Sequence, residues 1–188
     1  MNLSKSIEKS LIQHCSPTLA SLKTASLFAV KFACGEELDG ILREWNKRLS
    51  VKGITIMKLS EKSGRALIYV FRKSRLSRDL NHPRVRGFLR KNGYSATDID
   101  SAISTLRSHL SEPDGFPHEI GIFLGYPIDD VMGFIQNKGR NCKCCGCWKV
   151  YRNEREAKRT FARFRKCEAI YMRLWRQGRS VLQLTVAA

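Results

Sequence analysis

The sequence lacks a hydrophobic run long enough to cross a membrane. Its longest largely apolar stretch, residues 25–34, is short and carries Lys31, whereas a membrane-spanning helix needs roughly 20 apolar residues. The first residues do not predict a secretory signal peptide, because Glu8 and Lys9 stand where its apolar segment would lie. We therefore expect a cytoplasmic protein that does not insert into a membrane.

Acidic residues are scarce. The 188 residues include 34 Lys and Arg against 17 Asp and Glu, which gives a formal net charge of +17. The excess is concentrated in two basic segments, residues 72–91 and residues 138–179. Such segments are typical of a surface that binds nucleic acid or another polyanion. They are also typical of helix faces that simply contact water, so the charge alone leaves both interpretations open.

Motifs for nucleotide chemistry are absent as well: the sequence has neither a Walker loop nor a GxGxxG turn. It also lacks a helix-turn-helix, an RNP aromatic signature and a GxxG clamp. The second basic segment instead contains a row at four- and three-residue spacing, formed by Arg155, Arg159, Arg163 and Lys166. In a helix these four side chains would lie on one face, where they could contact successive phosphates of a nucleic-acid backbone.

The apolar pattern predicts a single α+β domain over residues 1–188, with a small, mostly antiparallel sheet covered by helices. An apolar fraction of 43% is too high for a disordered chain. The predicted helices are 4–15, 36–49, 83–91, 95–110, 118–124, 128–136 and 153–177. The predicted strands are 25–31, 54–59, 65–72 and 147–151.

Four local expectations accompany this pattern. Pro17 should prevent a simple continuation of the first helix, and residues 60–64 should form a five-residue hairpin loop. Strand 65–72 is apolar on both faces, so it should be central and share its sheet with strand 147–151. Ser95 or Thr97 should cap the helix that follows.

Four cysteines lie within six residues: Cys142, Cys144, Cys145 and Cys147. Thiolates crowded in a loop that contains glycine are what Zn²⁺ or an iron–sulfur centre requires. The spacing of Cys144 and Cys147 also suits a thiol redox pair. Cys167, or Cys15, His14 or His118, would have to complete a metal site from elsewhere in the fold. The alternative is that these are surface or packing thiols.

Two further groups are candidates for chemistry. His118 and Glu119 begin a short, otherwise apolar helix, where they could act as an acid–base or metal pair. Alternatively, Glu119 could accept hydrogen bonds from the free N–H groups at the helix start while His118 makes a local hydrogen bond. Adjacent helical side chains point about 100° apart, so the two cannot both point directly at one atom. His14 and Cys15 suggest a thiol nucleophile and its base, hence a Cys15-dependent hydrolase or transferase, although a sequence neighbour is rarely the base.

Several stretches resemble a family of clostridial proteins catalogued as domain of unknown function number thirty-seven ninety-three. The stretches are HCSPTLASLK (14–23), FPHEIGIFLGYP (116–127), DVMGFI (130–135), GCWKVY (146–151) and LTVA (184–187). The resemblance spans nearly the whole chain. It implies an origin in anaerobic bacteria, where oxygen-sensitive thiol sites are easily maintained, and it implies no activity.

Two leading hypotheses about function and one outsider therefore stand, and whether the protein is an enzyme stays open. The first is a metal- or thiol-site protein that uses the Cys142–Cys147 loop, with Zn²⁺ or an iron–sulfur centre as the candidate cofactor. The alternative is a module that binds nucleic acid or another polyanion through the two basic segments. Hydrolysis by Cys15 is the third and weakest hypothesis.

Overall fold

The computed structural model describes residues 2–96, 98–112 and 116–187. It divides into two compact units, which we call the first unit (Met1–Arg75 with Lys166–Ala188) and the second unit (Leu76–Arg165). Helices and two small antiparallel sheets confirm the predicted α+β class. The prediction of one domain over 1–188 stays a prediction. Within the described residues, none of the helices is both long enough and apolar enough to cross a membrane.

The elements that lie wholly in the first unit are three helices and three strands. They are α1 (Leu3–Leu19), β1 (Ala25–Lys31), α2 (Gly35–Ser50), β2 (Ile54–Lys62), β3 (Arg65–Arg72) and α9 (Val181–Leu184).

The elements that lie wholly in the second unit are four helices and a short hairpin. They are α4 (Pro83–Lys91), α5 (Ile99–Ser111), α6 (Ile120–Phe123), α7 (Ile128–Gln136), β4 (Cys144–Cys145) and β5 (Lys149–Val150). Two helices, α3 (Lys73–Asn81) and α8 (Glu154–Arg176), contribute residues to both units.

The three-stranded sheet of the first unit has the order β1-β3-β2 and is antiparallel throughout. Strand β3 is central, as its two apolar faces predicted. The prediction that strand 147–151 belongs to this sheet is wrong, because Lys149–Val150 pairs with Cys144–Cys145 in a separate hairpin. Pairing with Cys144–Cys145 closes a loop of only a few residues, whereas pairing with β3 would close a much longer loop. Closing the shorter loop costs less chain entropy.

The β2–β3 hairpin is tighter than the five-residue loop predicted. Strand β2 continues to Lys62, and the turn consists of Ser63 and Gly64, with φ of 49° and 70°. Positive φ at both central residues is typical of the type I′ turn, whose twist matches that of the paired strands. The polar composition of residues 60–64 concealed the strand pairing, which shifts register between Lys58 and Ser60.

The first helix also extends past its predicted end. Pro17 lies inside the last turn of α1, where a missing N–H removes a single intrahelical hydrogen bond. The Ser16 hydroxyl donates to the Ile12 carbonyl, and the Pro17 carbonyl accepts from the N–H of Leu22 at 2.8 Å. The last turn therefore retains hydrogen-bond partners although it contains proline.

The helix predicted over 95–110 begins later than expected. Helix α5 starts at Ile99, and the Asp98 carboxylate caps it by accepting from the N–H of Ser101 at 2.9 Å. Ser95 therefore does not cap it, and Thr97 lies outside the described residues. The long C-terminal helix behaves as predicted, since the Asn153 side chain accepts from the N–H of Glu156 at its start.

Helices α1 and α2 pack on one face of the first unit's sheet. Alternate residues of all three strands, such as Val30, Ile56 and Ile68, join them in the main core. Tyr69 and Phe71 occupy the opposite face of β3, with ring centroids 4.8 Å apart. This is the period of two that a strand imposes on its side chains.

Arg72, the last residue of β3, is a buried cation without a carboxylate partner among the described residues. It is 1% exposed, and its guanidinium donates to the carbonyls of Thr18, Leu19 and Val186, each at 2.7 Å. Burial lowers the pKa of Arg72, and repulsion from Arg75 lowers it further. The cation caps the C-terminal end of α1, where carbonyls carry partial negative charge, and it attaches the chain's C-terminal tail.

Arg72→Met should therefore lower the free energy of unfolding by about 3 kcal/mol, because buried carbonyls lose their donors. Arg65→Met, at the exposed opposite end of the same strand, should change it by less than about 0.5 kcal/mol. Thermal unfolding followed by circular dichroism compares the two variants. Equal losses would show that Arg72 does not act as a cap.

Candidate ligand pocket in the second unit

The second unit contains a cavity of about 350 Å³, which we call the aromatic pocket. Five aromatic rings line it: Phe116, His118, Tyr126, Phe134 and Trp148. The rest of the lining consists of Ile120, Gly121, Leu124, Asp130, Val131, Cys145 and Lys149. The volume lies within the range of roughly 300–1,000 Å³ that small-molecule sites occupy. The pocket thus joins the FPHEIGIFLGYP stretch, helix α7 and the cysteine hairpin.

Two glycines allow the region of the β4–β5 hairpin to approach helices α7 and α8 closely. A Cβ on Gly133 of α7 would lie 2.6 Å from Tyr151 Cβ. A Cβ on Gly146, in the turn of the hairpin, would lie 2.3 Å from the Phe161 ring of α8. Both distances are far inside van der Waals contact, so any larger residue would displace the hairpin from its position beside the pocket.

Asp130 fixes the hairpin to helix α7. It is 4% exposed. Its Oδ1 accepts from the backbone N–H groups of Tyr151 at 2.8 Å and Arg152 at 3.0 Å, and its Oδ2 accepts from the indole N–H of Trp148 at 2.8 Å. Three donors on one buried carboxylate fix its position and satisfy both of its oxygens. Sequence reasoning assigned Asp130 no role, although its position four residues before Phe134 puts it on the apolar face of α7.

The aromatic rings of the lining pack in two groups. Tyr126 stacks on Trp148 with centroids 5.0 Å apart, and Trp148 meets Phe161 edge to face at 4.5 Å. On another side, His118 lies edge-on to Phe134 at 5.0 Å. Burial raises the pKa of Tyr126 to about 12, with a smaller contribution from Cys147. These edge-to-face and stacked pairs are the arrangements in which rings stabilise one another.

The structure separates the four loop cysteines. Cys145 lines the aromatic pocket, whereas Cys144, next along the strand, packs against the cluster of Val150, Ala157 and Phe161. Burial raises the pKa of Cys144, so its thiol stays protonated. Cys147 is exposed in the hairpin turn, and Cys142 is half-buried. Strand alternation thus directs neighbouring thiols to different surroundings.

No group of three or more His, Cys, Asp or Glu side chains that could hold a metal ion occurs within residues 2–96, 98–112 and 116–187. Cys167 belongs to the first unit, where it is buried and burial raises its pKa to about 11. The geometry therefore gives the Zn²⁺ and iron–sulfur hypotheses no support.

His118 and Glu119 have separate surroundings. Glu119 is buried, and its Oε1 contacts His109 Nδ1 at 2.6 Å and accepts from the Tyr94 hydroxyl at 3.2 Å. Burial and the Glu119 charge both raise the pKa of Tyr94. His118 is instead exposed at the aromatic pocket. Sequence reasoning missed His109, whose partner is ten residues away and outside any local motif.

The His14–Cys15 pair has no arrangement suited to a nucleophile. Cys15 is fully buried in the core of the first unit, and burial raises its pKa to about 12. A protonated, inaccessible thiol cannot attack a substrate. His14 lies on the exposed side of α1, where its ring stacks against Phe28 with centroids 6.2 Å apart.

The predicted row on α8 is exposed at all four positions, Arg155, Arg159, Arg163 and Lys166. Within the part of the chain that the structure describes, none of the four forms an ion pair. In the second unit, Asp129 binds both Arg84 at 2.5 Å and Arg152 at 3.3 Å. Arg84 comes from the first basic segment and Arg152 from the second, so the two segments meet there.

Comparison with known proteins identifies a family and nothing closer. The family model described as "Protein of unknown function (DUF3793)" matches residues 11–185. Neither a curated protein nor a solved structure matches the chain.

Two adjacent aspartates provide a matched test of the pocket's framework. Asp130→Asn should lower the free energy of unfolding by about 2 kcal/mol, because an amide NH₂ would face a buried donor. Asp129→Asn should cost less than about 1 kcal/mol, because its ion pairs are partly exposed to water. Urea unfolding of both variants measures the difference. A larger loss at Asp129 would contradict the role given to Asp130.

Proposed function

The chain belongs to the family described as protein of unknown function (DUF3793), and we propose that it binds a small, largely apolar ligand in the aromatic pocket, with the Cys145 thiol in the pocket wall. The observation that carries the proposal is a cavity of about 350 Å³ with five aromatic rings in its lining. Apolar concave sites with a few polar groups are the usual form of small-molecule sites.

The framework of the pocket supports the same conclusion. Trp148, one wall, is held by the Asp130 carboxylate at 2.8 Å and packs on Tyr126 and Phe161. Because these side chains are already held in place, a ligand that enters the pocket does not have to order them. Little of its binding free energy is therefore lost in ordering the protein. A ring of the ligand would replace water next to aromatic faces.

In this proposal Cys145 is the one thiol, of those in the predicted thiol site, that is assigned to the ligand pocket. Cys145 is exposed and lines the aromatic pocket. Cys15, Cys144 and Cys167 have raised pKa values through burial, which keeps their thiols protonated. A ligand in the pocket would contact Cys145 and shield it from reagents in solution.

Titration with 2-naphthamide, a neutral planar probe, tests the proposal by calorimetry. We expect binding of one molecule per chain with a Kd of roughly 10 μM to 1 mM, which is typical of a ligand this small. At nine-tenths occupancy the probe should slow alkylation of Cys145 by iodoacetamide about tenfold, as mass action requires. Mass spectrometry of the alkylated peptides gives the rate at each cysteine.

Cys34 and Cys147 are the internal controls, because both are exposed and neither lines the aromatic pocket. Their alkylation rates should stay the same with and without the probe. Phe134→Ala should weaken probe binding at least about fivefold through the loss of one aromatic wall. Absence of binding, or equal protection at all three cysteines, would contradict the proposal.

The row on α8 favours a second candidate function, which is the binding of a polyanion. Its four cations are exposed, and Arg84 and Arg152 lie together at Asp129. A ligand that neutralises about five phosphates of duplex nucleic acid would give a slope near −4.5 for log affinity against log salt.

The triple variant Arg159→Glu, Arg163→Glu and Lys166→Glu should abolish duplex binding near 50 mM salt, since this low salt concentration screens such contacts little. The matched control reverses three other exposed cations, Lys31, Arg43 and Lys47, and changes the net charge equally. Fluorescence anisotropy with a labelled duplex compares them. Equal losses of duplex binding in the two triple variants would show that the duplex is attracted only by the protein's overall positive charge. Absence of duplex binding by the unmodified protein would exclude this function.

A further inference from the structure

The polar groups at the aromatic pocket identify the class of ligand, an inference that rests on the proposed function. The two charged side chains of the lining are Asp130 and Lys149. Asp130 is fully engaged, because both of its oxygens accept hydrogen bonds from the protein. A ligand would therefore meet no uncommitted carboxylate among the described lining residues.

Lys149 is the available charge. Its ammonium carries three donors, and one donates to the Gly139 carbonyl at 2.7 Å. The nitrogen lies 5.7 Å from the centroid of the Phe134 ring, which itself lines the pocket. The charge is thus placed against the aromatic wall and retains donors for a ligand.

Strand register places Cys145 and Lys149 on the same face of the hairpin. Cys145 and Lys149 are direct partners in the β4–β5 ladder, and side chains of such partners lie on the same face, with Cβ atoms roughly 5 Å apart. A thiol is a weak hydrogen-bond donor, and a histidine ring such as that of His118 donates at least one hydrogen bond. The lining therefore offers a ligand hydrogen-bond donors at Lys149, Cys145 and His118.

From these placements we infer that the ligand is a flat, mainly aromatic molecule that bears one anionic group, such as a carboxylate, held at Lys149. Aromatic walls take the ring by stacking and edge contacts. The ammonium and its neighbours take the anion through charge-assisted hydrogen bonds, which are stronger than neutral ones. Cationic ligands, which other aromatic sites bind, would be repelled here by Lys149.

Three probes with one ring system test the charge preference: 2-naphthoate, 2-naphthamide and 2-naphthylmethylammonium. Calorimetry should show 2-naphthoate binding about five- to tenfold more tightly than the isosteric amide, which corresponds to one charge-assisted contact. The ammonium probe should bind more weakly than the amide. Cys145 protection from iodoacetamide shows that each probe occupies the aromatic pocket.

Lys149→Met retains the apolar stem and removes the charge. This variant should bind 2-naphthoate only as tightly as 2-naphthamide, while affinity for the amide stays within about twofold. Lys143→Met is the matched control: Lys143 immediately precedes strand β4 of the same hairpin, donates to the Arg152 carbonyl and does not line the pocket. The control should preserve the preference for the carboxylate.

The outcomes separate this inference from the proposed function. Equal affinities for acid and amide, or equal loss of the carboxylate preference in Lys143→Met, would overturn the assignment of an anionic ligand held at Lys149. Tighter binding of the ammonium probe would overturn it too and would indicate a cationic ligand. No binding of any probe would overturn the proposed function itself. If Lys149→Met fails to fold, the ratio of the affinities of the unmodified protein for 2-naphthoate and 2-naphthamide still shows whether the pocket prefers the anion.

Discussion

The arrangement of the candidate site depends on one buried carboxylate. Asp130 receives three hydrogen bonds from Trp148, Tyr151 and Arg152, and these three residues belong to a hairpin region with only two short paired strands. Two residue pairs cannot hold a hairpin in water by themselves. Its position next to α7 is therefore set by Asp130 and by the close approach of Gly133 to Tyr151, and its position next to α8 by the close approach of Gly146 to Phe161. The aromatic pocket, the exposed thiol and the pocket's cation all follow from that placement.

Burial divides the titratable groups into structural and available ones. In the first unit, Arg72 serves three backbone carbonyls and Cys15 is sealed in the core. In the second unit, Glu119 is occupied by His109 and Tyr94. Cys145 and Lys149, by contrast, are exposed at one cavity. Other thiols and cations are exposed as well, and Cys145 and Lys149 differ from them in that both line the aromatic pocket.

Sequence alone predicted the parts of the fold that depend on local patterns. The helical apolar spacing gave α2, α4, α7 and α8 within about two residues, and two apolar faces identified β3 as central. The errors came from interactions that a local pattern does not contain. Pro17 was compatible with a last helical turn, and residues 147–151 paired within their own hairpin. Two contacts of the second unit also lie outside any local pattern: Glu119 contacts His109, ten residues away, and Asp130 accepts hydrogen bonds from Trp148 and Tyr151.

The central claim is that a ligand enters beside Trp148, and the three tryptophan indole N–H signals in a ¹⁵N–¹H NMR spectrum test it most directly. Trp148 lines the pocket, whereas Trp45 and Trp175 belong to the first unit. Addition of 2-naphthamide should shift the Trp148 signal, identified through a Trp148→Phe variant, because ring currents of a stacked probe act over a few ångströms. The signals of Trp45 and Trp175 should stay in place. A spectrum in which Trp148 does not move, or in which Trp45 or Trp175 moves instead, would contradict the account.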